Sequence, residues 1–192
     1  MNYLAKHFTL KKRNYGFTMI ELLVTITILG IASMIAVPAL SEFLVKSRTD
    51  NEVIELQRFI LTARNAAINS GQQVTICPLN AGTCSNDWDK TISMFMNEDD
   101  ATKYNAANET MVKVKDAISS GDKLAFSDGN TLIYSPTGRL VNGQNVTFTY
   151  CPKNHASIAR GVSISLSGRV YITQDTDNDN KDEDRLGNEL NC

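Results

Sequence analysis

Gly16-Phe17-Thr18-Met19-Ile20-Glu21-Leu22-Leu23-Val24 opens the stretch that decides the fold. From Leu22 to Leu40 the chain runs 19 residues without a charge, long enough for an α-helix to cross the ~30 Å hydrocarbon core of a bilayer. Upstream lie Lys6, Lys11, Lys12 and Arg13, with no acid among residues 1–16. An ordinary secretory signal would follow such a basic segment with a shorter apolar region and a small-x-small cleavage site. Here no A-x-A site follows, and the apolar run flows into a further helical pattern. One long helix is therefore expected from Phe17 to about Ser70, roughly 80 Å at about 1.5 Å per residue. Gly30 and Pro38 are the points where it should kink or loosen, and Gly71 is a plausible stop.

The two halves of this helix differ. Residues 17–40 suit lipid. Over residues 41–70 the pattern is amphipathic: Leu40, Leu44, Val53, Leu56, Ile60, Ala63 and Ala67 recur at spacings of three and four, with one gap around Ser47 to Asn51, while charged residues fill the other faces. That apolar stripe needs a protein surface to cover it. Past Gly71 the period changes to two, and strands are expected at Val74–Cys77, Ile92–Met96, Met111–Val114, Lys123–Ser127, Thr131–Ser135, Asn145–Tyr150, Val162–Leu166 and Val170–Ile172. Turn-rich segments separate them at Pro78–Lys90, Asn97–Glu109, Asp128–Asn130 and Pro136–Asn142. No internal repeat is evident. The fold class is α+β: a long N-terminal helix packed through its second half on an antiparallel β-sheet domain over residues 71–174, followed by an acidic C-terminal tail at 175–192.

Charge is divided unevenly. The formal net charge of −2 splits into +4 over residues 1–16 and −6 over the remainder, of which residues 175–192 carry −5. A mildly acidic body gives no general reason to bind nucleic acid. The four cysteines, Cys77, Cys84, Cys151 and Cys192, all follow the apolar run. With the basic leader inside, they face the oxidising side of the membrane, where disulfides are the default. Of the three possible pairings, Cys77–Cys84 and Cys151–Cys192 are expected; the first closes a small loop, and the second staples the acidic tail to a strand.

The segment Gly16 to Val24 resembles the processing motif of class III signal peptides in type IV pilins and type II secretion pseudopilins. The resemblance implies cleavage by a membrane peptidase after Gly16, methylation of the new N-terminus at Phe17, and an assembly role for Glu21 as the fifth mature residue. Pro38 falls where many pilins carry a helix-loosening proline. Physics points the same way: a carboxylate near an apolar span wants a partner, and the N-terminal ammonium of a neighbouring subunit in a filament is one. The segments Thr62 to Ile68 and Gly71 to Pro78, with Cys84, Trp88 and the closing hairpin Ser163 to Val170, are similar to the GspH/FimT family of minor pilins and a minor pseudopilin. That implies a low-abundance inner-membrane subunit with a periplasmic domain, entering a pilus near its tip and meeting other major and minor pilins, the prepilin peptidase and the assembly platform. A type II secretion pseudopilin shares every one of these features. DNA-uptake members of the family carry Gly-Arg-x-Arg near the C-terminus; here the stretch is Gly168-Arg169-Val170-Tyr171, so Arg160 and Arg169 are at best a poor phosphate patch.

Enzyme chemistry is not expected. His155, the single histidine after the leader, lies among turn residues, and no nucleophile motif, phosphate loop or zinc spacing occurs. Trp88 is expected in or beside the core. No cofactor is required. The acidic tail alone invites a ligand: Asp175, Asp177 and Asp179 stand at the 1, 3, 5 spacing of calcium loops, with the Lys181 carbonyl at 7, Glu183 at 9 and Asp184 as a substitute in a shorter loop. Leu186 at position 12 removes the bidentate acid of a full EF-hand. The alternative is a solvated acidic tail.

Overall fold

Helix α1 of the computed structural model spans Met19–Ser70. The structure describes residues 16–97 and 101–192; the basic leader, apart from Gly16, lies outside them. The chain resolves into two units, the first ending at Glu42 and the second running from Phe43 to Cys192, and α1 contributes to both. It starts at Met19, two residues later than the apolar pattern suggests, because Thr18 is its N-cap. The Glu21 N–H donates to Thr18 Oγ1 (3.2 Å), and the Thr18 N–H and hydroxyl both donate to Glu21 Oε2 (3.2 Å each). This is a capping box, in which two orphan amides at the helix start are satisfied reciprocally.

In the first unit every described residue is exposed, including Leu22, Leu23, Ile26, Leu29, Ile31 and Ile35. The polar residues here satisfy themselves: Thr25, Thr27, Ser33 and Ser41 donate their hydroxyls to carbonyls one turn back, at 2.7–2.8 Å. Such back-bonding lets hydroxyls sit on an apolar helix surface. The helix is continuous through Gly30 and Pro38, although Pro38 has no N–H to offer the Met34 carbonyl.

In the second unit α1 turns Val53, Leu56, Phe59, Ile60, Ala63 and Ala67 into the core. Among the described residues nine strands follow: β1 Gln73–Asn80, β2 Thr83–Cys84, β3 Ile92–Asn97, β4 Met111–Lys115, β5 Lys123–Phe126, β6 Leu132–Tyr134, β7 Val146–Cys151, β8 Arg160–Ile164 and β9 Val170–Ile172. They form two antiparallel sheets. One has the order β2-β1-β3-β4, with β6 also paired to β1; the other is β5-β7-β8-β9. Alternate residues of both sheets meet the helix in one cluster: Val74 and Ile76 of β1, Ile92 and Met94 of β3, Val146, Phe148 and Tyr150 of β7, Val162 and Ile164 of β8. Trp88 closes it, 5.0 Å from the Phe148 ring and 4.8 Å from Phe126, with Nε1–H donating to the Gly129 carbonyl (3.1 Å). The opposite face of the first sheet is also covered. Thr75 and Cys77 are buried there with Cys84 and Phe95, against Tyr104 and Met111.

Two departures from the sequence pattern are informative. β2 lies inside a segment rich in turn residues, and its register, Leu79↔Cys84, brings its two residues to β1. The chain also holds a short repeat: Ser135-Pro136-Thr137-Gly138-Arg139 and Ser165-Leu166-Ser167-Gly168-Arg169 build the same turn. In each, the serine N–H donates to the arginine carbonyl (2.9 Å) and the serine carbonyl accepts from the glycine N–H (2.8 and 2.7 Å), with φ of +73° and +77° at the glycines. The two turns abut. The Leu140 N–H bonds the Leu166 carbonyl at 3.1 Å, and a Cβ on Gly168 would run into the Gly138 carbonyl oxygen. Glycine is thus needed there for both its φ and its size.

Candidate functional site

Two clusters remain once the core is subtracted. The first is the start of α1. Gly16 and Phe17 are exposed and precede the helix, so the bond between them lies outside it. Glu21 sits in the first helical turn with Oε2 held by Thr18, both exposed. Its other oxygen has no bond among the described residues. Thr18 is the residue the pattern reading passed over; the signal was present as a threonine three positions before a glutamate, ahead of an apolar run.

The second cluster is the C-terminal segment. It is not a free tail. Gln174 and Glu183 form a β-bridge, as do Glu183 and Glu189, and the Leu190 side chain is buried. A disulfide joins Cys151 of β7 to Cys192, and another joins Cys77 to Cys84. Arg160, expected to be at best part of a poor phosphate patch, is paired within the fold. Instead of offering its charge to solvent, it bonds Asp50 Oδ1 of α1 through Nη1 (2.5 Å) and Asp182 Oδ2 through Nε (3.1 Å). Its guanidinium is thus paired with carboxylates on two sides. Arg169 is exposed. Tyr171, standing where a second arginine would extend the basic stretch, lies under Arg185, whose guanidinium carbon is 3.8 Å from the ring centroid.

Within residues 175–184 the three aspartates are oriented by backbone donors. Asp175 accepts from the Asn178 and Asn180 N–H groups (2.7 and 3.0 Å), Asp177 from Asp179 (3.2 Å), and Asp179 from Lys181 (2.8 Å). Asn178 and Asn180 take positive φ, +66° and +70°, which asparagine tolerates. One carboxylate oxygen from each of Asp175, Asp177, Asp179 and Glu183 lies within 4.8 Å of the others. Asp184 is not in this group. It caps its own turn, accepting from Leu186 (2.8 Å) and Asn188 (3.0 Å); burial alone would raise its pKa, but the donors of Asn188, Leu186 and Gly187 hold it below the ordinary value. The Lys181 ammonium reaches Glu189 at 2.6 Å and Asp179 at 3.8 Å.

Comparison with known proteins places this architecture. Residues 11–37 match the prokaryotic N-terminal methylation motif, and residues 52–168 match the family model described as type II transport protein GspH. Fimbrial protein Q of Moraxella bovis is 37% identical over 79 residues, 41% of this chain; the chain spans about half (46%) of that relative's length. The crystal structure of the type IV minor pilin FimU of Pseudomonas aeruginosa superposes with a TM-score of 0.57 at 20% identity, covering 69% of this chain and 92% of FimU. That likeness shows a shared fold: one long helix packed on antiparallel sheets. Since the GspH model covers the helix from Glu52 through the β8–β9 turn, this chain belongs to the GspH family of pilin-like proteins.

Proposed function

We propose that this protein is a minor subunit of a type IV pilus, held in the inner membrane by residues 17–40 and then transferred into the filament, where it acts at or near the tip. The observation that carries this is the contrast within α1. From Thr49 onward one stripe is built into a two-sheet core, whereas Leu22 to Leu44 leaves its large apolar side chains exposed. Such a surface calls for lipid before assembly and for neighbouring helices after it. The prepilin peptidase would cut after Gly16, leaving Phe17 to be methylated. Glu21 would then meet the N-terminal ammonium of an adjacent subunit with the oxygen that Thr18 leaves free. Partners are other pilins and the assembly platform. The chain supplies packing surfaces and no chemistry.

Glu21 has two jobs in this reading, and variants separate them. Glu21→Gln keeps the capping box, which accepts glutamine, but loses the charge. Thr18→Ala keeps the charge and loses the cap. Glu21→Gln should insert into the membrane and fail to enter filaments, while Thr18→Ala should still assemble. Fractionation with filament counts, in a strain whose piliation depends on this subunit, reads both. Normal piliation with Glu21→Gln would remove the charge role. Mass spectrometry of the mature chain should find methyl-Phe17, and a start beyond Leu40 would end the proposal.

A second reading, a minor pseudopilin of a type II secretion system, is favoured by the description of the matching family model itself. Deleting the gene separates the two: lost pili with intact secretion supports the first, and the reverse supports the second.

A further inference from the structure

The convergence of Asp175, Asp177, Asp179 and Glu183 would be no more than an acidic surface but for the state of Glu183. Three of the four are exposed, whereas Glu183 is only 6% exposed. Its Oε2 is fully engaged, accepting from the Thr176 N–H (2.7 Å) and hydroxyl (2.5 Å). Its Oε1 is buried with no donor among the described residues. A buried carboxylate oxygen left without a partner is among the costlier features a fold can hold. The Lys181 ammonium beside the cluster is drawn to Glu189 at 2.6 Å and stands 3.8 Å from Asp179.

Four carboxylates with this geometry ask for a cation. Ligands opposed across a calcium ion, each at 2.3–2.6 Å, lie about 4.6–5.2 Å apart, and the four oxygens here fall within 4.8 Å of one another. The donor set is all oxygen, without the nitrogen or sulfur that zinc and copper favour. It sits on a loop whose shape is set by asparagines, the flexible setting calcium accepts; magnesium holds to a strict octahedron and keeps its waters. We propose that Asp175, Asp177, Asp179 and Glu183 bind one Ca²⁺, with Glu183 Oε1 as the buried ligand. The ion would cancel repulsion among four like charges and fix residues 174–183 beside the Asp50–Arg160–Asp182 ion pairs, tying the C-terminal segment to α1 and β8. With most ligands exposed, its affinity belongs to the weak extracellular class, about 10⁻⁴–10⁻³ M. The inference stands whether the filament is a pilus or a secretion pseudopilus.

The test is calorimetric titration of the full chain in detergent micelles with CaCl₂, paired with thermal unfolding in CaCl₂ and in EGTA. One ion per chain is expected, with a Tm that rises with calcium. At a hundredfold excess over Kd the folding equilibrium should shift about 100-fold, which is about 2.7 kcal/mol. Asp177→Asn, at an exposed position, should keep the fold and weaken binding by roughly tenfold or more, since ligand charge sets affinity. Glu183→Gln should abolish the calcium response and raise the Tm in EGTA, because it replaces the unpartnered charge by a neutral group. Magnesium at the same concentration should shift the Tm little. No heat and no Tm change up to about 10 mM calcium, tenfold above the weakest sites of this class, would overturn the proposal. A calcium response that Asp177→Asn retains in full would do so too.

Discussion

Tyr134 and Tyr150 show how one residue type can have opposite standing in the same core. Both rings are buried. The Tyr150 hydroxyl donates to Asp122, whose carboxylate also accepts from the Lys153 N–H (2.8 Å) and from Arg48 (3.3 Å). The Tyr134 hydroxyl has no partner among the described residues. Tyr150→Phe should therefore destabilise the fold by about 1–3 kcal/mol, and Tyr134→Phe should be neutral or slightly stabilising, because removing one partner of a buried bond costs more than removing an unmade one. Urea melts at neutral pH decide this, and equal losses would refute it. The pH dependence has a definite sign. Burial, and for Tyr150 also its bond to Asp122, raise both phenols well above their ordinary value. The stability they contribute is fully present below the unfolded value of about 10. It is lost as pH rises towards the folded values, since only the unfolded chain can release those protons early. Tyr150→Phe should flatten part of that alkaline decline. No sequence pattern could rank the two tyrosines, because Asp122 lies 28 positions from Tyr150.

At the level of elements, the interrupted apolar stripe of α1 finds its explanation. Where the pattern lapses around Ser47–Asn51, charged contacts take over. Arg48 pairs with Asp122, Asp50 with Arg160, and Glu52 with Lys115 at 3.0 Å. Lys115 of β4 has a side chain only 4% exposed. Glu52→Ala should then cost about 3 kcal/mol or more, because a buried ammonium loses its nearest carboxylate and keeps the long bond to the Asp116 carbonyl at 3.5 Å and the exposed Glu55 at 3.7 Å. Glu55→Ala should cost under about 1 kcal/mol, and the double change Glu52→Leu with Lys115→Met should be close to neutral, since the whole pair is then replaced by apolar chains. Chemical denaturation of the three variants checks the order, and a larger loss for Glu55→Ala than for Glu52→Ala would refute it. The periodic elements were legible. Val146, Phe148 and Tyr150 alternate into the core as expected, and so do Val162 and Ile164. β2 was not, because two residues carry no period and are recruited by the register of β1.

Across the whole molecule, the Cys151–Cys192 disulfide holds the C-terminal segment against β7 through a loop of 41 residues. On the chain-entropy account, Cys192→Ser should cost about 4 kcal/mol, and the analogous change at Cys84, closing only 7 residues, about 2 kcal/mol. Thermal melts of the two variants test the ranking. Proteolysis should also release residues 175–192 first in Cys192→Ser, and equal protection in both variants would contradict the stapling role. The sequence by itself determined the lengthwise plan: the uncharged run from Leu22 to Leu40, the amphipathic turns from Val53 to Ala67, the alternating strands, and the motif around Gly16 and Glu21. Each is a local pattern, written in neighbours whose spacing reflects a 3.6- or 2-residue period. Tertiary structure alone decided which charges are spent and which are left over. Arg160 and Asp50 are 110 positions apart, and Glu183 becomes a buried, half-satisfied carboxylate only after the segment folds back on Gln174. Charge pairing and burial depend on distance in space and on access of water, and neither is recorded in the order of residues along the chain.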